Sequence, residues 1–414
     1  MSIKAEIISI GNEIISGDVI DTNSSYIAKN LLNLGIETLW HTSIGDLPDD
    51  IKNSIRKALE RSDIIFTTGG LGPTDDDFSV KVVAEALDKK LVFVEDIWEN
   101  IQESLIRAGR KIDNYNKKEA YIPEGAKYFL NHAGSAPCVF IEQDEKKIFM
   151  LPGVPSEMKY FMQTNILPAI KDDSTEVIKT KKIKLSGIPE ASVNEKIKDM
   201  VEKDAYTIAF LPKSSELEVK ITVKAKDETT ALKILEDAKN EIVSRFDKFI
   251  YGYDDDSIEE ILHDILIAES KTISMAESCT GGLISKMLTD VSGSSSYINL
   301  NLVTYSNEAK MKMLEVKKET LENFGAVSEQ TAEEMALGIK KLSGSDFGLA
   351  ITGIAGPTGG TEEKPVGLVY IGITDGVKVN VHKIVSPPKL PREEIRVRAA
   401  KKALHLLKEF ICQN

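Results

Sequence analysis

Cysteine is scarce in this chain, with three residues, Cys138, Cys279 and Cys412, among 414. They are odd in number, far apart and without metal-ligand spacing, which argues against a disulfide framework and fits a reducing cytoplasm. Histidine is nearly as scarce, with five residues, His41, His132, His263, His382 and His405. None falls in a strand-end loop of the last third, so a Ser-His-Asp arrangement is not expected there. Positive charge is also short: 52 Lys and Arg face 65 Asp and Glu, a net charge of −13. A nucleic-acid groove depends on clustered Lys and Arg, so nucleic acid is not the expected partner, although a local basic patch stays open. No apolar run approaches the ~18 residues of a membrane span. The amino terminus MSIKAEIISIGNEI passes straight into a strand pattern without a basic segment or cleavage site. A cytoplasmic protein with no membrane partner is expected.

What is present is ordinary for a globular protein: 42% hydrophobic and 28% charged residues. The length exceeds what one core usually organises, so two or three domains are expected. Ala5 to Ile10 reads as a buried strand ending at Gly11. A loop carrying Glu13, Asp18 and Asp21 follows, then a helix capped by Thr22 or Asn23, with Tyr26, Ile27, Leu31 and Leu34 on its apolar face and Gly35 as terminator. Strands at Glu37 to Thr42 and Asp63 to Thr67 flank a helix at Asp49 to Glu60. This alternation predicts βαβ units and a parallel sheet with helices on both faces.

The third strand runs into TTGGLGPTDDDFSV, at the strand end where open α/β sheets bind ligands. Gly69, Gly70 and Gly72 leave backbone N–H groups open to an anion, and Asp75, Asp76 and Asp77 are hard oxygen donors. A diphosphate site with a divalent metal is a reasonable reading. An acidic first turn that complements a helix dipole explains at least one of the three aspartates. The loop is neither a Walker motif nor a dinucleotide GxGxxG. LPGVPSEMKYF at 151 to 161, after the strand Lys147 to Met150, offers Gly153 and Glu157.

Residues 169 to 253 change character. The strand KTKKIKLSGIP, a helix Ala191 to Val201, the alternating strand ELEVKITVKAK and a helix Thr229 to Phe246 describe a small α+β domain. Its element order is KH-like, without a GxxG loop, and a spacer or dimerisation module is expected ahead of RNA binding. The linker YDDDS precedes Ser257 and Glu260, which predict a capping box for a helix whose apolar face carries Ile258, Ile261, Leu262, Ile265 and Leu266. The last domain therefore begins near residue 254.

That domain opens with KTISMAESCTGGLISKMLTD, residues 271 to 290: a strand Lys271 to Met275, a glycine break, and a helix starting at Leu283. Such a corner can hold a phosphate, present Ser278 or Cys279 as a nucleophile, or merely cap a helix. Lys310, in VTYSNEAK beyond the next strand, could reach Ser278 and lose its proton when partly buried, with Tyr305 relaying the proton or orienting the pair. Each of the two has a plainer reading, as an exposed lysine and a strand aromatic. For Cys279 the plainer fate is that of a small buried hydrophobe.

MAESCTGGL, VTYSNEAK, GAVSEQTAEEMA and ITGIAGPTGGTEEKPVG together resemble the carboxy-terminal domain of the CinA family, a nicotinamide-nucleotide amidase. ISIGNEIISGDVIDTNS, TTGGLGPTDDD and LPGVPSEMK resemble the CinA portion related to molybdopterin-binding proteins of the MoaB and MogA kind. The resemblance implies an α/β protein of three domains: a doubly wound MoaB/MogA-like domain at 1–168, a KH-type α+β domain at 169–253, and an α/β amidase domain at 254–414. It implies a bifunctional hydrolase that deamidates nicotinamide mononucleotide at the last domain, without a cofactor there. The first domain would hydrolyse ADP-ribose to AMP and ribose 5-phosphate with a divalent metal ion. By the same resemblance Ser278 is the nucleophile, with Lys310 and Tyr305 as its catalytic partners. Thr280 and Gly281 would supply backbone donors, Gly353, Ala355 and Gly356 would line the nucleotide site, and Arg392 and Arg396 would hold its phosphate. Gly69, Gly70, Gly72 and Thr74 would bind the diphosphate, with Asp76, Asp77 and Glu13 as candidate metal ligands. Asp75 is a weaker candidate. A homodimer is expected. The alternatives are a non-catalytic nucleotide sensor of a competence or DNA-damage system and a molybdopterin-handling first domain.

Overall fold

A computed structural model of the chain describes residues 3–74, 77–171, 177–387 and 389–413. Asp75 and Asp76 lie outside the described residues. The chain forms two compact units, residues 1–180 with 222–235, and residues 181–221 with 236–414.

In the first unit a six-stranded sheet runs in the order Glu37–Ile44, Lys4–Ile10, Ile64–Thr68, Lys146–Leu151, Cys138–Gln143, Lys127–Phe129. The first four strands are parallel, as the βαβ alternation predicts. The last two pair antiparallel, so the sheet is mixed and not purely parallel. The turn that adds them is Asp144-Glu145, both at positive φ (51° and 63°), a two-residue connection whose twist suits a hairpin. Strand residues alternate between two cores. Ile8, Ile10, Ile65, Ile148 and Met150 face Ile51 and Ile55 of the helix Pro48–Arg61. Ile7, Ile64, Phe66 and Phe149 face Ile27 and Leu31 of the helix Thr22–Asn33. Successive crossover helices thus cover opposite faces, and the chain reverses direction across the sheet at the strand Lys4–Ile10. Two local expectations are corrected. Asp21, and not Thr22 or Asn23, caps the helix Thr22–Asn33, its carboxylate accepting the Ser24 N–H at 2.9 Å. Glu13 lies in a short helix, Asn12–Ile15, and not in a loop.

The middle stretch builds a four-stranded sheet in the order Thr207–Lys213, Glu216–Ala225, Val177–Ser186, Ile250–Tyr253. The expected single helix at 191–201 is two, Glu190–Lys196 and Lys198–Val201, because Ile197 leaves helical geometry at φ −120°, ψ 20°.

The last domain opens with the capping box at Ser257 and Glu260, which is present in full and starts the helix Ile258–Ala268. Its five-stranded sheet has the order Ile298–Val303, Ile273–Glu277, Phe347–Gly353, Leu368–Thr374, Val379–Val385. The first three strands are parallel and the last two antiparallel. The helices Ile258–Ala268 and Arg392–Cys412 cover one face through Leu262, Leu266, Ala399, Ala403 and Leu407. The helix Glu329–Ser343 covers the other with Met335, Ala336 and Ile339. Among the described residues no helix is long and apolar enough to cross a membrane.

Candidate functional site

Two constellations stand at strand carboxyl ends, one in each unit. In the last domain, Glu277 pairs with both Val303 and Ile351, so three parallel strands finish side by side. The pairing continues one residue further: Ser278 N–H donates to the Ile351 carbonyl at 3.0 Å and Thr304 N–H to the Glu277 carbonyl at 2.8 Å. Ser278 is therefore held on a rigid strand end, next to Thr304. The helix Asn307–Leu314, capped by the Ser306 hydroxyl, carries Lys310 back toward that edge. The Lys310 Nζ lies 3.1 Å from Ser278 Oγ, 2.7 Å from the Thr304 carbonyl and 3.4 Å from the Tyr305 carbonyl. Lys310 is 1% exposed, among the described residues no carboxylate is hydrogen-bonded to it, and burial pushes its pKa down to about 8.

The turn after Ser278 is set by Glu277. This carboxylate, 1% exposed, accepts the N–H of Gly282 (2.9 Å), Ile284 (3.2 Å) and Ser285 (2.8 Å) together with the Ser285 hydroxyl (2.6 Å). The first donors of the helix Leu283–Thr289 are thereby taken by the protein, so the helix start is not open to a phosphate. Gly281 N–H is taken as well, by the Ser278 carbonyl at 3.1 Å, and the expectation that it is a free donor is corrected. Among the described residues, the amides of Cys279 and Thr280 are the two in this turn that no other residue accepts. Thr280, expected as a backbone donor, therefore keeps an unpaired N–H, and so does Cys279. The Cys279 side chain lies in the apolar core, 6% exposed, where burial raises its thiol to about 12, so it is a neutral packing group there.

The Tyr305 side chain is placed differently from expectation, and Arg392 and Arg396 each hold a backbone carbonyl. The Tyr305 side chain is 61% exposed and its hydroxyl accepts from Arg392 at 3.1 Å. Its phenol has no hydrogen bond to Ser278 or Lys310; only its carbonyl meets the lysine. Arg392 also donates to the Gly356 carbonyl at 2.7 Å, and Arg396 to the Thr280 carbonyl at 2.5 Å. One helix end therefore ties the GIAGP loop and the Ser278 turn together. Of the three residues expected to line a nucleotide, Ala355 and Gly356 are buried in packing. At Gly353 a Cβ would come within 2.6 Å of Val369, and at Gly356 within 2.5 Å of Val366, so both glycines answer close approach of the neighbouring chain.

In the first unit a cavity of about 360 Å³ lies beyond Ile10 and Thr68, at the reversal point of the sheet. Glu13, Gly69, Gly70, Gly72 and Asp77 line it together with Asn23 and Asp46. Gly69 has φ 104° and a Cβ there would stand 2.1 Å from the Ile10 carbonyl, so only glycine fits. Its N–H donates to Leu151 at 3.2 Å, which leaves Gly70, Leu71 and Gly72 as the amides of this loop without a hydrogen-bond partner among the described residues. Thr74 does not line the cavity; its N–H and hydroxyl hold one oxygen of Asp77 at 2.9 and 2.6 Å. Asn23, missed by sequence reasoning, donates to Thr68 Oγ1 and the Gly153 carbonyl at 2.9 and 2.8 Å and ties the cavity wall together. Glu157 turns away from the cavity to Asn131 at 2.6 Å.

Glu13, Asp46 and Asp77 are hard oxygen donors, but among the described residues no group of three or more His, Cys, Asp or Glu could hold a metal ion. A metal held here would rest on one or two of these carboxylates plus substrate phosphates, as Mg²⁺ commonly does.

An α/β protein with a Ser–Lys pair on one mixed sheet and a glycine loop on another is the class these features define. Three family descriptions match in chain order: "Probable molybdopterin binding domain" over residues 6–172, "Damage-inducible protein CinA KH domain" over 180–252 and "CinA C-terminal domain" over 255–411. The CinA-like protein of Kosmotoga olearia is 42% identical over 409 residues, 99% of each chain. That of Dictyoglomus thermophilum is 42% identical over 371 residues, 89% of this chain and 90% of the relative. A crystal structure of competence/damage inducible protein CihA from Agrobacterium tumefaciens is 44% identical, covering 37% of this chain and 94% of its own, with TM-score 0.36. The chain belongs to the CinA family.

Proposed function

We propose that the chain is a two-site hydrolase whose last domain deamidates nicotinamide mononucleotide. The observation that carries this reading is the 3.1 Å contact between a buried Lys310 and Ser278. With a pKa of about 8, roughly a tenth of the lysine is neutral at pH 7. The neutral amine has two N–H bonds and a lone pair. Thr304 and Tyr305 offer two carbonyls for the N–H bonds, which leaves the lone pair for the Ser278 hydroxyl proton. Oγ then attacks the carboxamide carbon, and the amides of Cys279 and Thr280 hold the oxyanion. Lys310 returns the proton to the departing ammonia. Water, deprotonated by the same lysine, hydrolyses the acyl-enzyme to nicotinate mononucleotide. Arg392 and Arg396, already spending one face on backbone carbonyls, keep further N–H donors for the 5′-phosphate. Ammonia release from nicotinamide mononucleotide by the purified chain tests this reading, and an inactive wild type would end it.

For the first domain the reading is hydrolysis of ADP-ribose to AMP and ribose 5-phosphate. Amides of Gly70, Leu71 and Gly72 would receive the diphosphate, and Glu13 and Asp77 would hold a divalent cation against it. Such a cation supplies Lewis-acid polarisation and a more acidic water. The match of residues 6–172 to a molybdopterin-binding description favours a second reading, a pterin ligand in the same cavity. AMP formation from ADP-ribose separates the two. A homodimer and a cytoplasmic setting complete the proposal.

A further inference from the structure

The middle domain reaches into the last one within a single compact unit, residues 181–221 with 236–414. Glu216, the first residue of the strand Glu216–Ala225, has a side chain only 3% exposed, and both of its partners lie on the helix Arg392–Cys412. Lys401 Nζ donates to one carboxylate oxygen at 2.6 Å and His405 Nε2 to the other at 2.9 Å. Burial alone would raise this carboxyl, but the hydrogen bonds from His405 and Lys401 hold it down at about 2, so it is an anion at neutral pH. The ring of Tyr251, from the strand Ile250–Tyr253 of the same sheet, packs edge-on against His405 at 4.6 Å between centroids. A second grip lies two residues before Glu216, where the Ser214 hydroxyl donates to Glu394 at 3.2 Å in the first turn of the helix. The junction is not slack: Lys181 holds Asp254 at 2.6 Å and Lys184 holds the Asp256 carbonyl where the chain passes into the last domain.

The same helix carries Arg392 and Arg396 to the Ser278 site, where they hold the Gly356 and Thr280 carbonyls. Glu394 sits between the two arginines, and Lys401 and His405 follow Arg396 by roughly 8 and 14 Å along the axis at 1.5 Å per residue. A helix is stiff over that span, so its position against Glu216 is passed on to both guanidinium groups. We infer that Glu216 is a positioning residue for the amidase site: through Lys401 and His405 it sets where Arg392 and Arg396 meet the phosphate of the substrate. The inference rests on the nucleotide reading of the Ser278 site. It gives the middle domain a part in substrate affinity, beyond that of a spacer.

Calorimetric titration of nicotinamide mononucleotide into the full-length Ser278→Ala chain reads affinity and site number without turnover. Arg396→Ala in that background should weaken binding, which assigns the heat to this site and not to the glycine loop of the first domain. Glu216→Gln keeps the shape but removes the charge that Lys401 and His405 answer, and it should weaken the nucleotide by about fivefold or more with the site number unchanged. Added to Arg396→Ala, it should cost less than it does alone, because it acts through the arginine. Lys401→Met, at a partly exposed side chain, should weaken the nucleotide in the same way, and it decides the matter if circular dichroism shows Glu216→Gln unfolded. A merely structural Glu216 would lower the number of competent sites and leave affinity alone. That result, unchanged affinity in the folded variant, no loss in Arg396→Ala, or an equal cost with and without Arg396 would overturn the inference. If the folded Ser278→Ala chain binds no nicotinamide mononucleotide, the nucleotide reading of the site falls and this inference with it.

Discussion

The carboxylate of Glu277 holds both the amide and the hydroxyl of Ser285, at 2.8 and 2.6 Å, across the turn that carries Ser278. Among the described residues no cation is hydrogen-bonded to this buried carboxylate, which is satisfied by helix-start N–H groups and a hydroxyl. Glu277→Gln keeps the shape but halves the acceptor capacity and brings an N–H among donors. It should cost about 2 kcal/mol of stability in denaturant unfolding. Deamidation should fall through turnover more than through the Michaelis constant, because the turn fixes Cys279 and Thr280.

The rate should follow the protonation of Lys310. Deamidation, read as kcat/KM, should rise with pH and level off above about 8, since the base is the neutral amine and its pKa is lowered to about 8 by burial. A phosphate-binding lysine would need the charged form and would give a rate that falls over the same range.

The same burial is a stability cost. Lys310 titrates at about 8 in the fold against 10.5 for a free lysine, a difference of roughly 3 kcal/mol at most. The penalty is present in full below pH 8 and fades as pH rises toward the unfolded value. Lys310→Met should therefore abolish deamidation and raise unfolding stability at pH 7, by about 2 kcal/mol after loss of a hydrogen bond to Thr304. A large destabilisation would show that the lysine is held charged and well paired.

Chelation should separate the two sites. Removing divalent ions should stop ADP-ribose hydrolysis and leave deamidation nearly unchanged, and Asp77→Asn should act like the chelator on AMP formation. Equal loss of both activities would place a metal in the Ser–Lys reaction as well.

Much of the fold and part of the site were legible because they are local. The capping box at Ser257 and Glu260 and the helix start at Leu283 depend on residues within a few positions. The antiparallel strands at Lys127–Phe129 and Cys138–Gln143 were not foreseen, because pairing direction is a long-range choice that composition does not encode. Glycines were read as open donors, yet Gly69 and Gly281 spend their N–H groups on neighbouring carbonyls and serve geometry instead. Tyr305 lies five residues before Lys310 in sequence, but its side chain points to Arg392 and only its carbonyl reaches the lysine. A carboxylate at the end of an otherwise apolar strand, before two glycines and a helix, was the available signal for Glu277. The boundary near residue 254 likewise gave no sign that Glu216 meets His405 at 2.9 Å and Lys401 at 2.6 Å inside one compact unit.

The central claim is that Ser278 and Lys310 act as one catalytic unit. Ammonia release from nicotinamide mononucleotide should be compared for wild type, Ser278→Ala, Lys310→Ala, the double variant and Cys279→Ala. Each of the first two single changes should cut turnover by about three orders of magnitude or more, and the double should lose little beyond either one. Cys279→Ala should stay active. A fully active Ser278→Ala protein, or a Lys310→Ala protein that loses only affinity for the nucleotide, would contradict the account.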